Sequence, residues 1–142
     1  MSNIIPFPQQ PGLRSFIIYD DVPEGCLVHE MADDTSAPHL HENEFIVVDP
    51  SDCDPVHGDM FLAQWSTGRR QPVECIWSKG WGGWMLAPIK PQDMIRVSDG
   101  KTMGQLRMMD GPYKAGVPLR CFVGKIVGIY EPDFRKKLKR AA

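Results

Sequence analysis

The sequence predicts a mainly β domain of short strands, on two observations. Thirteen glycines and thirteen prolines are spread through 142 residues and cut the chain into short segments, which favours strands over helices. The apolar runs between them are brief, rich in β-branched residues and bounded by turn residues. No stretch before the last dozen residues holds an amphipathic helical period for three turns.

In chain order, residues 1–25 read as an extended N-terminal arm, with Pro6, Pro8 and Pro11 near its start. Apolar runs at 16–19, 26–28, 45–48, 60–63, 73–77, 84–87, 94–97 and 121–130 are the predicted strands. Short strands at this spacing read as a barrel or sandwich-like domain over 26–130. The glycine- and proline-punctuated stretch 99–119 is expected to be irregular, as a hairpin with a long loop. Residues 131–142 read as a short basic helix or tail. Pro132 suits a first helical turn, Asp133 its positive end, and Phe134 and Leu138 share a face. The tail's Arg135, Lys136, Lys137, Lys139 and Arg140 are expected to be solvated or to make a weak contact with phosphate or an acidic partner.

A net charge of −2 excludes strong whole-molecule steering toward nucleic acid or anionic membrane. No apolar run reaches the roughly 18 residues of a membrane span, and the start has no signal-like h-region, so a cytoplasmic location is expected. Cys26, Cys53, Cys75 and Cys121 lack any Cys-x-x-Cys spacing and are expected to be free thiols, mostly in the core.

The most informative stretch is 27–63. Asp33-Asp34-Thr35-Ser36 is followed by Pro38 and Leu40. Asn43-Glu44 precedes the apolar run Phe45-Ile46-Val47-Val48 with its terminal Asp49, and His57-Gly58-Asp59 precedes Met60-Phe61-Leu62-Ala63. Near the end stands Phe122-Val123-Gly124-Lys125-Ile126-Val127-Gly128-Ile129. In order and spacing these segments resemble the LexA, phage-repressor and UmuD family (the S24 peptidases), which shares its fold with signal peptidases. The family pattern is Gly-Asp-Ser-Met, a first Gly-Asp before a strand ending in Val-Asp, a second Gly-Asp before another strand, and a closing Val-Gly strand. The resemblance covers 26–90 and 120–130. It implies a LexA-like β domain that self-associates, most often as a homodimer, in a phage-derived or stress-response (SOS-type) circuit of transcription regulation.

Read physically, Asn43 and Gly58 suit turns that need a left-handed backbone. The acidic residue after each can accept backbone hydrogen bonds. The short chain between the two turns predicts that the strands they open are neighbours.

The resemblance implies a Ser-Lys dyad, in which a neutral, buried lysine deprotonates a serine. The nucleophile position holds Thr35, whose methyl crowds the attack, with Ser36 one residue later. The lysine position falls on Ile76, or on Cys75 if the register slips by one, and neither is an amine. Lys79 lies beyond, in a glycine-rich turn. The target bond, Ala-Gly or Cys-Gly, is missing from residues 1–25. The expectation is a pseudoenzyme that works through protein contact or self-association, with no cofactor. The enzyme alternative is a self-cleaving peptidase using Thr35 or Ser36 with another base.

A second alternative is a cupin-like metal protein. His39 and His41 would share a strand face, with Glu44 nearby and His57 later, although the spacing to Glu44 is shorter than the cupin motif. Finally, Trp77, Trp81 and Trp84 surround a glycine turn, and Trp65 lies on the preceding strand. They read either as a hairpin of cross-strand aromatics closing one end of the domain or as a partner site. A glycine-flanked indole could also stack on a nucleobase, with Arg69-Arg70 the nearest positive charge. The tryptophan hairpin and the C-terminal strand are the expected interface. No helix-turn-helix segment is present, so direct operator binding is not expected.

Overall fold

The computed structural model describes residues 16–33, 40–114 and 120–132. Ten strands account for most of them: β1 (Ile17–Tyr19), β2 (Leu27–Glu30), β3 (Phe45–Asp49), β4 (Met60–Gln64), β5 (Arg70–Ser78), β6 (Gly83–Pro88), β7 (Gln92–Ile95), β8 (Thr102–Leu106), β9 (Asp110–Tyr113) and β10 (Phe122–Tyr130). The mainly β expectation holds, and every predicted strand has an observed counterpart.

Eight strands form one sheet in the order β2-β3-β10-β4-β5-β6-β9, with β1 also on β10. The nine-residue β10 is the spine. One edge pairs antiparallel with β3; the other takes β4 antiparallel along its first half and β1 parallel along its last residues. Its glycines permit this crowding. A Cβ on Gly124 would sit 2.7 Å from the Asp49 carbonyl carbon and 2.8 Å from Pro50 Cα, and one on Gly128 would strike the Ile17 carbonyl oxygen. The two strands opened by Asn43-Glu44 and Gly58-Asp59 are therefore not neighbours, as the short connection predicted: β10 is inserted between β3 and β4. Nor does β10 present a free edge for an interface. β1 lies within the stretch predicted to be an arm, but it is an integral sheet strand.

Strand alternation sends side chains to two cores, one on each face. From β4, Met60 and Leu62 enter a cluster with Leu40, Ile46, Val48, Ile89 and Ile126. Phe61 and Ala63 enter the other with Val73, Cys75, Leu86 and Phe122. Phe61 and Phe122 stack with centroids 4.3 Å apart and planes 4° apart. Burial on both faces explains why β3 and β4 read as unbroken apolar runs.

Both predicted turns carry left-handed backbone, with φ of 70° at Asn43 and 88° at Gly58. The stretch 99–119 is more regular than expected. Residues 102–106 return along β7 as a two-stranded ribbon, and 110–113 pair with β6. All nine strand residues of the ribbon are exposed. Residues 133–142, with the expected helix and all five basic tail residues, lie outside the described residues, as do 1–15 and 115–119. No helix among the described residues is long and apolar enough to cross a membrane.

Candidate functional site

β5 carries the two positions to which the resemblance assigns the lysine. Its residues 70–74 pair with β4 and its residues 73–78 with β6. Where β4 ends, the turn before it continues the ladder. Gly58 N–H donates to the Cys75 carbonyl at 2.7 Å, Cys75 N–H to the Asp59 carbonyl at 2.9 Å, and Trp77 N–H to His57 Nδ1 at 3.0 Å. Cys75 is thereby fixed in the core, fully buried beside Phe61 and Leu86. Burial, reinforced by the negative charges of Asp59 and Glu74 and by Cys121, pushes its thiol up to about 12. Ile76 is half-buried, opposite Met85 on β6. Cys75 is thus a protonated, inert core thiol, and Ile76 has no group to accept a proton. Lys79 is exposed. Thr35, Ser36 and His39 lie outside the described residues, in the connection between β2 and β3 whose flanking Met31 and Leu40 are buried.

Immediately before those two positions β5 does bury a charge. The Glu74 carboxylate accepts from the Arg107 guanidinium at 2.7 Å, and the two side chains are 10% and 7% exposed. Guanidinium cannot be deprotonated in a protein, so this pair supplies no general base. Its role is to tie the segment joining β8 to β9 onto the middle of β5. Sequence reasoning missed it, although each residue is a lone charge inside an apolar run, Glu74 within 73–77 and Arg107 within 106–109.

The second Gly-Asp also acts differently from expectation. The Asp59 carboxylate pairs with Lys125 Nζ on β10 at 3.1 Å. Glu44 does accept a backbone hydrogen bond, from His41 N–H. Asp49, at the end of β3, accepts from Ser51 Oγ and N–H, which lowers its pKa.

Among the metal candidates, His41 is exposed, Glu44 is engaged by the His41 backbone, and His57, within the β3–β4 connection, accepts from Trp77 N–H on β5. No group of three or more His, Cys, Asp or Glu side chains able to hold a metal occurs among the described residues. The four cysteines are free; Cys75 is buried and the other three are half-buried.

The tryptophans do not form one patch. Trp77 and Trp84 are directly opposed on β5 and β6 and meet edge to face, centroids 5.0 Å apart and planes at 70°. Trp81, at the turn, is 75% exposed. Trp65 is at the opposite end of β5, its Nε1–H donating to Gln71 Oε1 at 3.0 Å. There it lines a cleft of about 650 Å³ between the β4–β5 turn, the end of β6 and the two legs of the β7–β8 ribbon. Arg69 lines the same cleft, so the nearest positive charge accompanies Trp65 and not the glycine-turn indoles.

Among the described residues, the ribbon concentrates exposed apolar side chains. Met94, Ile95, Val97, Met103, Leu106, Met108 and Met109 are all more than 40% exposed along it and its connection to β9. No protein-family model, curated protein or solved structure matches the chain.

Proposed function

We propose that the chain is a non-catalytic module of the LexA and UmuD kind that acts by protein contact, with self-association as its primary mode, in a phage-derived or stress-response regulatory circuit. The observation that carries the contact is the β7–β8 ribbon. A two-stranded ribbon is marginally stable alone, and this one exposes apolar side chains on every part of its length. Met94 and Leu106 lie on one face by register, since their cross-strand partners are Gly104 and Gln92. The opposite face carries the Asp93–Gln105 hydrogen bond at 3.2 Å. Ile95 stands two residues beyond Asp93 and is 53% exposed, so the ribbon offers apolar side chains to a partner on both faces. Methionine suits such a surface because its unbranched side chain adapts to what it meets. The non-catalytic half of the reading rests on β5, where the lysine position holds a core thiol or an isoleucine.

Sedimentation velocity over a concentration series tests the contact. The expected result is a concentration-dependent dimer that Met94→Lys with Leu106→Lys converts to monomer without loss of fold. A monomer at every concentration, unaltered by the double variant, would sink self-association.

A further inference from the structure

We infer that the cleft at the base of the ribbon is a binding site for a nucleoside monophosphate. Three features of the cleft point to this ligand. Its aromatic wall is Trp65, whose indole is oriented by the bond from Nε1 to Gln71, so a planar ring stacking there meets a surface already fixed in place. Its rim carries two cationic side chains, Arg69 and Lys90, neither of which has an ion-pair partner among the described residues. Its floor is Val73 and Leu86, which give the body of a ligand an apolar bed.

A volume of about 650 Å³ is within the usual range for small-molecule sites and holds one nucleotide. Arg69 and Lys90 together match the charge of a single phosphate monoester. The chain as a whole is negative, so this local pair, and not a general field, supplies the attraction. Asp110 sets the limit on the other side. Its carboxylate lines the cleft and accepts from Tyr113 Oη, and its remaining lone pairs can receive a ribose hydroxyl or an exocyclic amine. The same negative charge repels additional phosphates, so the site favours a monophosphate over a triphosphate.

Calorimetric titration of the full chain at low ionic strength with AMP, ATP, adenosine and inorganic phosphate tests the assignment. AMP is expected to bind one per chain and more tightly than the other three. Arg69→Ala with Lys90→Ala is expected to weaken AMP about tenfold or more, and Trp65→Leu by a similar factor. Trp81→Ala should leave AMP affinity unchanged. Arg69 and Lys90 are exposed, so their double variant decides the matter even if Trp65→Leu fails to fold. No heat with AMP at millimolar concentration would overturn the assignment. So would AMP binding that survives the double variant, or phosphate, adenosine or ATP binding as tightly as AMP.

Discussion

Replacing Arg107 by methionine isolates the buried charge on β5. The substitution keeps most of the side-chain volume and leaves the Glu74 carboxylate, 10% exposed, without its guanidinium. Solvent cannot replace that partner at such burial, so the cost approaches that of breaking a buried ion pair, about 3–5 kcal/mol. At roughly 3 °C per kcal/mol for a chain of 142 residues, thermal unfolding should fall by about 10–15 °C. Glu74→Met combined with Arg107→Met removes both charges and should recover at least half of the loss, because the stranded carboxylate is the main penalty. Urea unfolding followed by circular dichroism measures all three proteins. Limited proteolysis adds a local readout, since Arg107 joins β8 to β9 and its loss should speed cleavage in the ribbon before global unfolding. A single variant within about 1 kcal/mol of the parent would refute the argument that this pair is both buried and stabilising.

Gly124→Ala should destabilise by roughly 1–3 kcal/mol or more, because the new methyl meets backbone at Asp49 and Pro50 that cannot rotate away; a neutral result in urea unfolding would show that β3 and β10 can separate. Stability should also fall with alkali. Burial raises Cys75 from 9 and Tyr113 from 10, each to about 12, so the unfolded chain loses these protons first. The stabilisation is complete below pH 9 and is lost as pH rises toward 12, with Tyr113→Phe flattening the loss. Cys75 should resist alkylation at pH 8 in the folded protein while labelling fully in urea, which peptide mass mapping would show. Prolonged incubation at raised pH should leave an intact mass; cleavage within residues 1–30 that disappears in Thr35→Ala with Ser36→Ala would restore the peptidase alternative.

Strand existence was legible because it depends on local pattern. β3, β4 and β10 announce themselves as β-branched runs between turn residues, and Asn43 and Gly58 mark their turns by the backbone conformation those residues tolerate. Strand order was not legible, because β10 contacts β3 and β4 across some eighty and sixty residues, and nothing local to either turn encodes the insertion. The clue was Gly124 and Gly128, whose physical meaning is close passage of backbone on both sides. β8 was missed for a related reason. Thr102-Met103-Gly104-Gln105-Leu106 alternates too weakly to signal a buried face, and the ribbon indeed buries none.

The candidate site divides the same way. The absence of an amine at Cys75 and Ile76 could be read directly, because a catalytic residue's identity is explicit in the sequence. Which charges meet could not. Glu74 and Arg107 are 33 residues apart, and Trp65 and Arg69, in one turn, meet Lys90 only after β5 and β6 fold back on one another. A lone charge inside an apolar run is nevertheless a usable signal. Desolvating an unpaired carboxylate costs enough that Glu74, once placed in a buried strand, required a cationic partner. Arg107, embedded between Leu106 and Met108, was one residue of opposite sign under the same constraint, as was Lys125 within 121–130, and it is Arg107 that Glu74 takes. Pairing them from sequence would have located the β8–β9 connection over the centre of β5, and with it the base of the ribbon and the walls of the cleft.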